Sequence, residues 1–180
     1  MIRTHTLVVS ALLAALLAAS ALVTVPVGVV PVTLQTFVAA VIVLVCTPAQ
    51  AALAVGLYLL LGAIGVPVFS GMRGGLAVLV GPTGGYLAGF WLGAVAGAAV
   101  RAGLRLQRPL ADVAGLLVAM ACIYVPGTLW LAVSTGRTMT EAAAVGAAPF
   151  IVFDIAKGAA ATGIASALRR AGLASVVRSS

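Results

Sequence analysis

Charge is scarce in this chain. Of its 180 residues only 7% are charged and three are acidic, where a soluble domain carries roughly a quarter. The one histidine, His5, stands at the N-terminal end, which excludes a histidine-based metal or acid–base site in the interior. The two cysteines, Cys46 and Cys122, sit in apolar runs. They are too few for a disulfide framework or a thiolate cluster and read as small packing residues. No Gly-x-Ser-x-Gly nucleophile elbow occurs, and the glycine-rich run 81–85 lacks the Lys-Ser/Thr ending of a phosphate-binding loop. The chain is therefore not expected to hydrolyse ATP, and neither a cofactor nor a metal is expected. Nucleic acid is no better supported. The net charge is +7, but the ten basic residues are dispersed among apolar runs without aromatic interleaving.

What is present is apolar sequence, 63% of the chain, at a mean hydropathy of +1.27. Such a chain belongs in lipid. Spans of about 20 residues fit six times with short connections, which predicts an all-α membrane protein with a single transmembrane domain over 1–180. The predicted spans are 7–23, 32–46, 49–64, 85–100, 110–133 and 142–168. The first run, Leu7 to Val23 after Arg3, has the outline of a secretory signal. Because further spans follow, it is read as a retained helix. Its Ala11, Ala15 and Ala19 repeat every four residues, as do Ala14 and Ala18, a pattern that lets another helix approach closely.

Breakers divide the spans. Pro26, Gly28 and Pro31 make an uncharged loop, and Thr47-Pro48 opens the third helix. The stretch from Gly65 through Arg73 to Gly81-Pro82-Thr83-Gly84-Gly85-Tyr86 is the longest irregular one. At membrane depth such backbone is tolerated only where it lines a cavity or is buried in protein, so it is either a binding wall or a surface loop. Gly85, Gly89, Gly93 and Gly97 recur every four residues and predict one tightly packed helix face. Pro126-Gly127 predicts a kink in the fifth span.

Six spans put Arg3, Arg101, Arg105, Arg108, Arg169, Arg170 and Arg178 on one side of the membrane, and only Arg73 and Arg137 on the other. Cytoplasmic loops carry the excess of arginine and lysine, so both termini are expected in the cytoplasm. The loops at 24–32 and 65–84 then face outward, where a substrate would arrive.

One pair carries chemistry. Asp154 and Lys157 stand three residues apart on one face of an apolar span. A charge at the bilayer centre costs at least about 2.5 kcal/mol, so such residues usually face the bundle interior and mark a ligand or ion path. The alternative is a mutually neutralising pair near the outer surface. A carboxylate acceptor beside an ammonium donor suits a ligand with both N–H groups and carbonyl or carboxylate oxygens. Gln35 at the start of the second span both donates and accepts, for a ligand or for another helix. Tyr86, Tyr58, Phe69 and Trp91 offer aromatic surface, for a site or for the interfacial belt. Tyr86 ranks first because it ends the glycine-rich wall.

Four segments resemble the BioY family, the biotin-specific S component of energy-coupling-factor (ECF) transporters. They are Val32-Thr33-Leu34-Gln35-Thr36-Phe37, the run from Tyr58 through Gly65-Val66-Pro67-Val68-Phe69, Gly81-Pro82-Thr83-Gly84-Gly85-Tyr86-Leu87, and Asp154-x-x-Lys157. They occur in family order, and the resemblance covers roughly residues 7 to 172. It implies a six-helix S-component fold in the cell membrane that binds biotin near the outer face. It also implies a transmembrane T component and two ATPase subunits as partners. Asp154 and Lys157 map onto biotin ligands of the last helix, the carboxylate accepting from the ureido N–H groups and the ammonium meeting a biotin oxygen. Gly84 belongs to the same glycine-rich wall, and Arg73 is a further candidate for the valerate carboxylate. Ala11, Ala15 and Ala19 look like the T-component docking face. Other readings are an S component for riboflavin or thiamin, a membrane-embedded enzyme using Lys157, and a purely structural subunit.

Overall fold

The computed structural model describes residues 4–26 and 29–178. Arg3 and Gly28 lie outside the described residues, as does the side chain of Arg178. The chain is predominantly helical: α1 (Thr4–Ser20), α2 (Gln35–Val45), α3 (Pro48–Ala63), α4 (Leu76–Val80), α5 (Gly84–Gly103), α6 (Arg108–Thr135), α7 (Met139–Gly146), α8 (Ala148–Arg170) and α9 (Leu173–Arg178). Between α1 and α2, β1 (Thr24–Val25) pairs antiparallel with β2 (Val32–Thr33). The loop expected there is thus a small hairpin.

At about 1.5 Å per residue, α6 is about 42 Å long and α8 about 35 Å, enough to cross a hydrocarbon core of about 30 Å. These two helices are long and apolar enough to cross on their own, while α1, α2 and α3 are apolar but shorter. The 11-residue α2 would reach only about 17 Å. It is the central helix, packed against α1, α3, α5, α6 and α8. All eight residues from Val38 to Val45 are buried, so lipid does not set its length. The interior beyond its N-terminal end is left for other groups.

The strongest helix pairing follows the four-residue glycine repeat. A Cβ on Gly93 would stand 2.6 Å from the Ala119 carbonyl, and one on Gly97 2.6 Å from that of Gly115. The α5 and α6 backbones therefore meet directly. Gly89 presses on the Cys122 carbonyl, which Pro126 leaves without its i+4 N–H partner. The helix α6 continues through Pro126, and the close glycine face covers the freed carbonyl.

The span expected over 142–168 is instead two helices that break at Ala147 (φ −130°, ψ −57°). Pro149 in the first turn of α8 supplies no N–H to continue α7, and the Gly146 carbonyl accepts from the Tyr86 hydroxyl at 2.9 Å. At its other end α7 starts in a Thr138/Glu141 capping box. Hydrogen bonds from the Thr138 backbone N–H and hydroxyl hold the Glu141 carboxyl below its ordinary pKa. The irregular stretch 65–84 folds back on itself, since Phe69 and Arg73 pair through their backbones around Gly71 (φ 72°) and Met72 (φ 54°). It also contains α4, which was not anticipated.

The arginine-rich connections gather at one end. Arg101 donates to the carbonyl of Cys46 at the end of α2 (2.9 Å), and Arg169 at the end of α8 reaches Asp112 in the first turns of α6 (2.7 Å). Arg73 and Arg137 lie in the connections at the other end.

The α5–α6 seam makes a direct prediction. Gly93→Leu should lower the melting temperature, at a cost of about 1–3 kcal/mol or more from overpacking. Gly163→Ala, at a helical position where an added Cβ meets nothing within 4 Å, should leave it unchanged or raise it slightly. Thermal unfolding in one detergent checks both.

Candidate functional site

The site begins with two residues on α8. Asp154 and Lys157 are i,i+3 neighbours and form an ion pair at 2.8 Å, their side chains 4% and 15% exposed. Neither is left with the other alone. The hydroxyl of Thr36, in the first turn of α2, donates to Oδ1 of Asp154 at 2.7 Å, and the Tyr124 hydroxyl of α6 donates to Oδ2. The Lys157 ammonium donates to Oγ1 of Thr36 (2.9 Å) and to the backbone carbonyl of Thr33 in β2 (2.8 Å). All three ammonium N–H groups are thus used, and the carboxylate accepts three bonds, two on Oδ1 and one on Oδ2. Desolvating two charges requires such partners, because attraction between the pair alone rarely offsets the loss of water. The cluster ties α8, α2, α6 and the hairpin together at one point.

A cavity opens against this cluster, walled by β2, the 69–73 turn and helices α2, α5, α6 and α8. Asp154, Lys157, Gln35, Phe69, Arg73 and Tyr86 all line it. Apolar wall comes from Leu87, Phe90, Ile123 and Phe150, each buried. The charged groups on it are Asp154, Lys157 and Arg73, so the lining is apolar with a few convergent polar groups.

The six residues play different parts. Gln35 is 3% exposed. Its carbonyl oxygen accepts from the Thr33 hydroxyl at 3.2 Å and its amide donates to the Tyr58 hydroxyl. Tyr58 packs edge-to-face on Phe69, with centroids 5.5 Å apart and planes at 79°. Gln35 therefore braces the aromatic wall as well as facing the cavity. Phe69 is carried inward by the 69–73 turn, with its ring over Gly62, where any side chain would collide. The stretch 65–84 is thus in part a cavity wall. Tyr86 is held by the Gly146 carbonyl and, at 3.4 Å, the Thr128 hydroxyl. Arg73 is exposed at the mouth, where its Nε donates to the Ser70 carbonyl at 3.2 Å.

Three singled-out residues sit elsewhere. Gly84 opens α5, where a Cβ would run into the Leu79 carbonyl, so it permits a tight α4–α5 turn while Thr83 beside it lines the cavity. Trp91 donates its indole N–H to the Ala52 carbonyl at 3.1 Å, away from the cavity. Tyr58 is buried behind the wall. Ala11, Ala15 and Ala19 form an exposed row on α1, while Ser10, Ala14 and Leu17 face inward.

Thr36, Thr33 and Tyr124 are the cluster members that the sequence reading passed over. Tyr124 had a signal, as the one tyrosine within the apolar 110–133 run. Thr36 lies in a quoted segment, but nothing local tells that its hydroxyl bridges two charges 118 and 121 positions away.

Comparison with known proteins is consistent in one direction. The chain is 40% identical over 159 residues to a probable biotin transporter BioY of Pyrococcus horikoshii, covering 88% of this chain and 93% of that protein. It is 40% identical over 166 residues to the biotin transporter BioY of Thermotoga maritima, covering 91% and 95%. Its fold matches a crystal structure of the S-component for biotin from an ECF-type ABC transporter at a TM-score of 0.84, with 26% identity over 92% of this chain and 90% of the other. Residues 1–174 match the BioY family, and the chain belongs to that family.

Proposed function

We propose that this chain is the biotin-binding, substrate-capturing subunit of an uptake transporter in the cell membrane. The observation that carries the reading is the hydrogen-bonded Asp154–Lys157 cluster facing an apolar cavity, in a chain whose relatives are biotin transporters. Six spans follow from α1, α2, α3, α5, α6 and the α7–α8 pair. Both termini are then cytoplasmic, because the arginine-rich end becomes the inner one. The cavity opens outward.

Biotin has a flat ureido ring with two N–H donors and one carbonyl, an apolar body and a terminal carboxylate. The Asp154 carboxylate accepts from ureido N–H, and Lys157 donates to a ligand oxygen. Phe69, Phe90, Phe150 and Tyr86 cover the apolar body, and Arg73 at the mouth receives the carboxylate. The three ammonium N–H groups are all in use, so a ligand oxygen reaches Lys157 only by exchange for Thr33, Thr36 or Asp154. Asp154 Oδ2, which among the described residues accepts from Tyr124 alone, takes a ureido N–H as a further bond. A ligand whose oxygen does not match leaves the ammonium short of a partner. That penalty is the source of selectivity. Gln35 and Gly84 set the wall and turn around the ligand.

Delivery to the cytoplasm uses a transmembrane T component and two ATPase subunits. The exposed alanine row of α1 is the docking face, since small side chains let a partner helix approach closely.

Two outcomes test this. Equilibrium binding of labelled biotin to the detergent-purified protein should weaken about 10- to 100-fold in Asp154→Asn and in Lys157→Ala, the range for losing a hydrogen bond to a charged group. Unchanged affinity in both would remove the site. Ala15→Trp should retain biotin binding but lose ATP-driven uptake in cells that express the energising subunits, whereas undiminished uptake would place docking elsewhere.

A further inference from the structure

The molecule has a second polar recess, at the end opposite the cavity. It lies between the start of α6 and the end of α8 and is lined by Arg108, Asp112, Thr162, Ser166, Arg169 and Arg170. From Asp154 to Arg169 is 15 residues of helix, about 22 Å, so the recess is remote from the biotin cavity.

Its charges do not balance. Asp112, 1% exposed, is matched by Arg169, whose Nη2 donates to Oδ2 of Asp112 at 2.7 Å and to the Ser166 hydroxyl at 3.1 Å. Among the described residues, Arg108 and Arg170 then have no carboxylate. The chain has three acidic residues; of the other two, Asp154 pairs with Lys157 and Glu141 caps α7. Among the described residues the recess therefore carries a surplus of two positive charges.

The 28-residue α6 begins here with no side-chain cap on its first N–H groups, which adds donors and the positive end of the helix dipole. Leu110, Val113 and Leu117 of α6, 50–66% exposed, run from the recess along the helix.

We infer that this recess binds the headgroup of an anionic phospholipid such as phosphatidylglycerol. Phosphate oxygens are held between the exposed Arg108 at the start of α6 and Arg170 at the end of α8, and the acyl chains lie along Leu110, Val113 and Leu117. The arginine-lined end is the cytoplasmic one in the orientation proposed above, and that leaflet carries the anionic lipid. The α6–α8 junction is thereby clamped from outside the protein.

The test uses delipidated full-length protein in detergent, with thermal unfolding followed on addition of phosphatidylglycerol, phosphatidylcholine, glycerol 3-phosphate or inorganic phosphate. Phosphatidylglycerol should raise the melting temperature about 5 °C more than phosphatidylcholine at saturation. The excess should vanish in Arg108→Gln/Arg170→Gln, which spares the buried Asp112–Arg169 pair and should melt like the parent protein in phosphatidylcholine. It should persist in Arg105→Gln, which removes an equivalent surface charge outside the recess. Equal shifts for the two lipids, an excess that survives the double substitution, or one lost equally in Arg105→Gln would overturn the site. A full shift from inorganic phosphate or glycerol 3-phosphate alone would overturn the lipid assignment.

Discussion

The structure depends on one buried ion pair. Asp154 and Lys157 are an acid and a base in an apolar span, and Thr36, Tyr124 and the Thr33 carbonyl complete their bonding. Those partners come from α2, α6 and the hairpin, so satisfying one helix fixes the relative placement of three other segments. Replacing a buried pair with apolar residues is often neutral or stabilising. Stability alone is thus a poor reason for this cluster, and the ligand binding proposed for it is a better one.

The cavity beside the cluster follows from the length of α2. A helix of 11 residues at the centre of a bundle whose α6 has 28 cannot fill the interior, and the hairpin, the 69–73 turn and the α7–α8 break close around what is left. Rigid walls stand behind it. The α5–α6 glycine seam brings two backbones into contact, and Gln35, Tyr58 and Phe69 brace one another. A site built this way loses little to reorganisation when a ligand arrives.

Much of this was legible in the sequence where the signal is local. The glycine repeat, the Thr47-Pro48 helix start and the i,i+3 ion pair are read directly because spacing fixes helix faces. The hairpin at 24–33 and the helix α4 were missed, since both are short elements in stretches rich in breakers. The division of the last span at Ala147 was missed although Pro149 announces it, because the residues on both sides are equally apolar. Gly84 was counted with the wall, yet its task is the close approach to Leu79, a contact that composition does not reveal. The partners of the ion pair lie beyond what spacing conveys, since Thr36 and Tyr124 join Asp154 only through tertiary packing.

The central claim is that the ligand bonds directly to Asp154 and Lys157, taking over one bond of the ammonium. A structure of the protein bound to biotin tests it most directly. The account predicts a ureido nitrogen about 2.7–3.2 Å from the Asp154 carboxylate, with Lys157 donating to a ligand oxygen in place of one of its present acceptors. Biotin bound with the cluster's bonds to Thr33, Thr36 and Tyr124 all intact, and no ligand polar atom within hydrogen-bond reach of either charge, would contradict it.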